Sequence, residues 1–136
     1  MKVFVADNSA LLREQIIGLL SELRGIEIVG QAQAAPEALR HIRERKPDVV
    51  TLDIQMNGGS GLDVLKEIKR NGSAPVVIIL TNSASPPYRK SSIEAGADFF
   101  LDKSTEFEKV RGIIQSLLDR FNSTEAEAPK DRFGGD

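Results

Sequence analysis

Residues 47–61 have the sequence PDVVTLDIQMNGGSG, and this stretch decides the fold of the chain. Its apolar residues Val49, Val50 and Leu52 form a short run that ends at a carboxylate, Asp53. Short apolar runs bounded by proline and glycine are typical of strands buried on both faces, as in parallel sheets covered by helices. Asp53 is therefore predicted to lie at the carboxyl end of a buried strand, the edge at which open α/β sheets bind ligands.

The composition bounds the class of protein. A length of 136 residues suits one domain, and 40% hydrophobic with 28% charged residues is ordinary for a soluble globular protein. The net charge of −2 gives no general attraction to nucleic acid or to an anionic membrane. The chain has no cysteine for disulfides or thiolate metal sites, and its N-terminal apolar run is too short for a signal peptide or a membrane span. We expect a cytoplasmic protein that contacts neither nucleic acid directly nor membrane.

The rest of the chain alternates apolar runs with helical patterns. The apolar runs predict five strands, at residues 2–6, 25–30, 48–53, 75–80 and 97–101. Apolar residues at helical spacing predict one helix after each strand, beginning near residues 10, 36, 61, 86 and 106. This alternation implies parallel strands joined by right-handed crossovers, so we predict a three-layer, doubly wound α/β sandwich. Its five-stranded parallel sheet is expected in the flavodoxin-like order 2-1-3-4-5.

Local signals predict where two of the helices begin and end. Ser60 is expected to cap the third helix, which should end at Asn71 and Gly72 because this pair favours a left-handed stop. Thr105 and Glu108 have the spacing of a capping box, which predicts the start of the last helix.

The end of the chain differs in composition from the rest. Residues 122–136 are almost all polar, so they cannot bury enough apolar surface to order themselves. We therefore expect one domain over residues 1–121 and a polar, disordered C-terminal tail over residues 122–136. Because so short a tail cannot form a DNA-binding or catalytic domain, we expect the chain to act as a stand-alone domain.

Polar side chains follow four of the predicted strands. Asp7 and Asn8 follow the first strand, Asp53 the third, Thr81 the fourth and Lys103 the fifth. The predicted strand order places the first and third strands side by side, which brings Asp7 next to Asp53. Two carboxylates and an amide oxygen form an oxygen-rich pocket of the kind that suits Mg²⁺, which keeps water or phosphate in its other positions.

The same edge carries groups for phosphoryl transfer. An ammonium from Lys103 and a hydroxyl from Thr81 would meet the oxygens of an incoming phosphoryl group. Phosphoryl transfer needs an in-line nucleophile, a cation near the phosphoryl oxygens and accurate positioning. Asp53 is central in this set, so we predict that it is the nucleophile and forms an acyl phosphate.

These motifs together resemble the receiver domain of two-component response regulators, over residues 1 to about 121. The resemblance rests on the acidic residue after the first strand, Leu-Asp before a glycine-rich loop, Thr81, the Ala-Gly-Ala-Asp sequence before the fifth strand, and Lys103. It is closest to the single-domain form that resembles the chemotaxis regulator. It implies that Asp53 accepts a phosphoryl group from a histidine kinase or phosphotransfer protein.

The resemblance also implies roles for the other residues. It implies a Mg²⁺ site, held directly or through water by Asp7, Asn8, Asp53 and the backbone carbonyl of Gln55. Thr81 and Lys103 would bind the phosphoryl oxygens.

Phe100 takes the place of the family's switch aromatic, although an aromatic residue in a strand is by itself more typical of the core. Movement of Thr81 and Phe100 would re-form the face of the fourth helix, fifth strand and fifth helix, which an output protein would bind. Dimerisation through that face on phosphorylation is left open. No independent substrate is implied, so the chain is not expected to be an enzyme beyond its own phosphorylation and slow dephosphorylation.

Two positions depart from the family's usual pattern, and three alternative functions stay open. Asn8 stands where a second acid is usual, and Ser104 follows Lys103 where proline is usual. Asn8 supports a degenerate receiver that binds its partner regardless of phosphate. The second strand and the Lys-Ser junction are similar to receivers that belong to DNA-binding regulators. A flavodoxin-like FMN carrier has the same architecture, but the loop at residues 7–10 lacks a glycine-rich phosphate cradle.

Overall fold

A computed structural model gives the structure of residues 1–70 and 74–134, with side chains as far as residue 123. The strands are β1 (Lys2–Ala6), β2 (Glu27–Ala32), β3 (Val49–Leu52), β4 (Gln55–Met56), β5 (Gly59–Ser60), β6 (Val76–Thr81) and β7 (Phe99–Asp102). The helices are α1 (Ala10–Leu20), α2 (Ala35–Arg45), α3 (Gly61–Lys69), α4 (Pro86–Glu94), α5 (Lys103–Glu106) and α6 (Lys109–Gly134). The helix end predicted at Asn71 and Gly72 lies outside the described residues.

The main sheet has five parallel strands in the order β2-β1-β3-β6-β7. Since β6 and β7 are the predicted fourth and fifth strands, the predicted topology is confirmed. The second strand is shifted from the predicted residues 25–30 to Glu27–Ala32. It pairs along the whole of β1, from Lys2 opposite Glu27 to Ala6 opposite Ala32, with one register shift on the way. This pairing with β1, which no local pattern reveals, determines where the edge strand lies.

Two apolar layers cover the sheet because each central strand buries both of its faces. Phe4 and Val50 belong to the cluster that packs against α2 and α3, whereas Val3, Val5 and Val49 pack against α1 and α6. Successive side chains of a strand point to opposite faces, so a strand covered on both sides must be apolar throughout. The three-layer sandwich therefore follows from the unbroken apolar runs.

The loop predicted after Asp53 contains a small hairpin. Strands β4 and β5 pair antiparallel, with Gln55 opposite Ser60 and Met56 opposite Gly59. Gly58 lies at the turn with φ of 72°, in the left-handed region that glycine adopts without strain. An Asn-Gly pair between two short strands is a hairpin signal, so the sequence did contain the cue.

The cap predicted for α3 is present in the structure, whereas the cap predicted for the last helix is not. The Leu62 N–H donates to the Ser60 Oγ atom at 3.1 Å, which is the predicted cap of α3. The capping box predicted at Thr105 for the last helix is wrong, because Thr105 lies inside the short helix α5, which Asp102 caps, and the last helix begins at Lys109.

The last helix, α6, runs across the predicted domain boundary. The boundary after residue 121 falls inside Lys109–Gly134, and the division of the chain into a domain and a tail stays a prediction. Within the part of the chain that the structure describes, no helix is both long and apolar enough to cross a membrane.

Candidate functional site

The carboxyl edge of the sheet brings together the residues that follow its strands. Ala6 is opposite Leu52 in the pairing of β1 with β3, and the Asp53 N–H donates to the Ala6 carbonyl at 3.1 Å. Asp7 and Asp53 are therefore neighbours at the ends of adjacent strands. Asp102 ends β7 opposite Thr81, which places Lys103 at the same edge.

Lys103 joins the two carboxylates. Its Nζ atom lies 2.7 Å from Asp7 Oδ2 and 2.9 Å from Asp53 Oδ2. The three side chains are nearly buried, with exposed fractions of 8% for Lys103, 2% for Asp7 and 5% for Asp53. One ammonium between two carboxylates leaves a formal charge of −1 on this nearly buried cluster.

The second oxygen of each carboxylate accepts a backbone hydrogen bond. The Ser9 N–H donates to Asp7 Oδ1 at 2.8 Å, and the Gln55 N–H donates to Asp53 Oδ1 at 3.2 Å. Burial raises the pKa of the Asp7 carboxyl above its ordinary value of 3.8, because desolvation outweighs the hydrogen bonds from Lys103 and Ser9. The neighbouring Asp53 charge raises this pKa further.

Thr81 and Phe100 lie on one face of the sheet. Thr81 is fully buried, and its Oγ1 atom accepts the Ser83 N–H at 3.0 Å. Thr81 follows Ile79 by two residues, and both Ile79 and Phe100 belong to the cluster that faces α2 and α3. Phe100 is buried there, with the Arg89 Cζ atom 5.4 Å from its ring centroid, a cation–π contact. Phe100 therefore packs as a core residue in this state.

A cavity of about 400 Å³ opens onto Asp53 and Lys103. Asn8, Gln55 and Asn82 also line it. Asn8 is exposed where it lines the cavity. The cavity gives the Asp53 carboxylate an open side large enough for a phosphoryl group.

The donor chemistry of this corner suits a hard divalent cation. Asp7 and Asp53 have carboxylate oxygens, Asn8 has an amide oxygen and Gln55 has a backbone carbonyl, and oxygen atoms of these kinds are the ligands that Mg²⁺ prefers. The described residues contain no cluster of three or more His, Cys, Asp or Glu side chains that could form an all-protein cage. The oxygen donors of Asp7, Asn8, Asp53 and Gln55 fit a Mg²⁺ ion that keeps several water or phosphate ligands, next to the Lys103 ammonium that contacts both carboxylates.

Two residues at the site were missed from the sequence. The Arg13 guanidinium donates to the Asp7 backbone carbonyl at 2.7 Å and to the Gln31 side chain at 2.8 Å, which ties α1 and β2 to the Asp7 loop. No local signal separates Arg13 from a surface arginine. Asn82 follows Thr81 directly, so the rule used for the other strand ends could have found it.

The family model of the response regulator receiver domain matches residues 3–115. The chain belongs to this family. It is therefore a receiver domain of two-component signal transduction, a regulatory module whose family partners are histidine kinases or phosphotransfer proteins and output domains. The match decides against the FMN carrier.

Known proteins agree with this assignment. The chain is 32% identical over 118 residues to the response regulator GacA of Pseudomonas aeruginosa, covering 87% of this chain and 55% of GacA. It is 41% identical over 112 residues to a protein-glutamate methylesterase/protein-glutamine glutaminase of Carboxydothermus hydrogenoformans, covering 80% of this chain and 32% of that protein. The response regulator domain of Thermotoga maritima CheB superposes with a TM-score of 0.76 at 26% identity, covering 88% of this chain and 94% of that one. The chain spans about half the length of GacA and a third of the methylesterase.

Proposed function

We propose that this receiver domain is a switch controlled by phosphorylation of Asp53. The observation that carries the proposal is the buried Asp53 carboxylate, which shares the Lys103 ammonium with Asp7 and borders a cavity of about 400 Å³. A buried, charge-coupled carboxylate beside open space marks a functional site more often than a structural one.

In the proposed reaction, an oxygen of the Asp53 carboxylate attacks the phosphorus of the donor. The new oxygen–phosphorus bond forms as the bond from phosphorus to the phosphohistidine nitrogen breaks, and that electron pair leaves with the imidazole. Lys103 already lies 2.9 Å from Asp53, so it can follow the developing charge onto the phosphoryl oxygens. Asp7 keeps the ammonium in place from the other side.

Bound Mg²⁺ would neutralise charge on the phosphoryl oxygens. Asp7, Asn8, Asp53 and the backbone carbonyl of Gln55 would hold it, directly or through water. Asn8 contributes an amide oxygen without charge, so this chain relies on Asp7 and Asp53 for the attraction.

Phosphorylation would be passed on through Thr81 and Phe100. The Thr81 hydroxyl now accepts the Ser83 N–H, and a phosphoryl group on Asp53 would draw this hydroxyl as a donor. The rearrangement would reach the face formed by α4, β7 and α6, where an output protein or a second copy of the chain would bind. The kinase or phosphotransfer protein would approach the cavity beside Asp53.

A second candidate is a receiver that binds its partner without phosphate. It is favoured by the uncharged Asn8, which stands where a second acid is usual in the family. A third candidate is that this receiver works as part of a longer DNA-binding regulator, which the coverage of only 55% of GacA supports.

Intact mass after incubation with acetyl phosphate, with Mg²⁺ or with chelator, tests the proposal. We expect a Mg²⁺-dependent gain of one phosphoryl group that is lost in Asp53→Ala and kept in Asp63→Ala, an exposed aspartate of α3 that serves as the matched control. Phosphorylation that persists in Asp53→Ala would move the acceptor elsewhere. No gain by a folded wild-type protein, with acetyl phosphate and with a phosphorylated histidine kinase domain, would favour the phosphate-independent candidate.

A further inference from the structure

The turn that carries Lys103 is closed by hydrogen bonds on both sides of that residue. Asp102 Oδ1 accepts the Ser104 N–H at 2.9 Å and the Ser104 Oγ–H at 2.7 Å. The Asp102 N–H in turn donates to Glu106 Oε1 at 3.1 Å. Glu106 Oε2 accepts the Lys109 ammonium at 2.8 Å, which links the turn to the start of α6. Hydrogen bonds of Asp102, Ser104 and Glu106 thus flank Lys103 on both sides.

The short helix α5 needs these hydrogen bonds. It has four residues, Lys103–Glu106, and so few residues cannot form a stable helical turn by their own backbone bonds. The conformation is set by its cap, Asp102, whose side chain accepts the N–H of Ser104, the second residue of the helix. The pKa values of Asp102 and Glu106 lie below their ordinary values, mainly because of the Ser104 hydroxyl and of Lys109 respectively, so both acceptors are charged at neutral pH.

The position of the Lys103 backbone decides where its ammonium can reach. A lysine side chain has many rotamers, and holding its Nζ atom between two carboxylates has an entropic cost that a loose backbone would increase. The Nζ atom must meet Asp7 Oδ2 at 2.7 Å and Asp53 Oδ2 at 2.9 Å together. Fixing the Cα atom of Lys103 removes part of this cost before a phosphoryl group arrives.

We infer that Asp102 and Ser104 are positioning residues, whose capping bonds hold Lys103 so that its ammonium lies between Asp7 and Asp53. The expected effect of the cap on phosphorylation rests on the proposed function. The expected effect of the cap on the position of Lys103 does not. In this chain Ser104 donates its backbone N–H to Asp102, a bond that the proline usual at this position in the family could not make.

Four variants separate the cap from the charge. Asp102→Ala removes the acceptor, whereas Asp102→Asn keeps Oδ1 and the capping ability but removes the charge. Ser104→Pro removes the N–H donor, and Ser104→Ala keeps it while removing the hydroxyl. The first and third variants should loosen Lys103, and Asp102→Asn is the conservative control. A thermal midpoint for each variant shows that it is folded.

The first readout is the rate at which acetic anhydride acetylates Lys103, measured by peptide mass with the exposed Lys90 as internal reference. Loss of a cap of this kind is expected to raise the Lys103 rate by about fivefold in Asp102→Ala and Ser104→Pro. Asp102→Asn should label like the wild type. An unchanged Lys103 rate in Asp102→Ala, or an equal increase in Asp102→Asn, would overturn the inference.

The second readout is the rate of phosphorylation by acetyl phosphate, with each variant also made in Lys103→Ala. Asp102→Ala should slow phosphorylation by about fivefold in the wild-type background and have no further effect in Lys103→Ala. A similar loss in both backgrounds would overturn an action through Lys103. If the wild type takes up no phosphoryl group while the labelling result holds, the proposed function fails and the positioning of Lys103 stands.

Discussion

The two edges of the sheet carry the same kinds of charged residues in opposite environments. At the carboxyl edge, the Lys103 ammonium is 8% exposed and pairs with two buried carboxylates. At the amino edge, Arg43 pairs with Glu67 at 3.0 Å, but these side chains are 57% and 34% exposed. Water screens the exposed pair much more than the buried one, so ion pairs of similar length differ in energy. The buried cluster lies beside the proposed phosphorylation site, whereas the exposed pair links α2 to α3 at the surface.

The largest expected effect comes from Lys103→Ala. The substitution leaves Asp7 and Asp53 buried side by side without their cation, and removing one partner of a buried pair is strongly destabilising. We expect the free energy of unfolding to fall by about 3 kcal/mol at pH 7, measured by urea denaturation. The loss should be smaller at pH 4, where one carboxyl can take up a proton. A loss below about 1 kcal/mol would mean that water already reaches both carboxylates.

The next effect tests the backbone behind Asp53. A Cβ atom on Gly61 would lie against the Asp53 carbonyl oxygen, with the carbonyl carbon at 2.8 Å and Ile54 Cα at 3.0 Å. Gly61→Ala should therefore destabilise the protein by about 2 kcal/mol and slow phosphorylation, because the β3 end must shift.

Gly112→Ala is the matched control for Gly61→Ala. Apart from the backbone of its own helix and its chain neighbours, no atom lies within 4 Å of a Cβ atom built on Gly112, which is inside α6. The alanine should stabilise the helix by about 0.5–1 kcal/mol in the same urea experiment. Equal effects of the two substitutions would show that helix propensity, and not the approach to Asp53, decides both.

The pH dependence of stability separates Asp7 from the exposed acids. Burial raises the pKa of Asp7, so the folded state binds the proton more tightly than the unfolded state, whose pKa is near 3.8. The stabilisation of the folded state by the raised pKa of Asp7 is therefore fully present below pH 3.8 and is lost as pH rises through the pKa of the folded state. Asp102, whose pKa is lowered, contributes in the opposite direction: its stabilisation is present above pH 3.8 and is lost as pH falls through the folded pKa.

Asp7→Asn removes the titration of the Asp7 carboxyl. Urea midpoints between pH 4 and pH 7 should show the variant gaining stability relative to the wild type as pH rises. A difference between the two proteins that stays constant over this range would mean that Asp7 titrates alike in the folded and unfolded states.

Comparison of the sequence with the structure shows which parts of the site can be predicted. Asp7, Asp53 and Lys103 could be found because each lies within two residues of the end of an apolar run, and parallel strands align their ends. The Arg13 bond to the Asp7 carbonyl could not, because it depends on how α1 packs against the end of β1, which no periodicity encodes. The Asp102 cap is local, but the capping-box spacing of Thr105 and Glu108 competed with it in the sequence. The roles proposed for Asn8, Gln55, Thr81 and Phe100 stay predictions, since they concern a metal and a phosphoryl group.

The smallest expected effect lies at the amino edge. Glu67 accepts Arg43 at 3.0 Å and Arg70 at 3.1 Å, so Arg43→Ala leaves the carboxylate with a second cation as well as with water. Exposed pairs of this kind contribute about 0–1 kcal/mol, and we expect a change below about 0.5 kcal/mol that fades in high salt. Phosphorylation should be unaffected, because this edge is the full length of a strand away from Asp53. A loss of unfolding free energy close to that of Lys103→Ala would show that the buried and the exposed ion pairs do not differ in energy. The proposed site would then be supported by the cavity beside Asp53 and not by the burial of its charges.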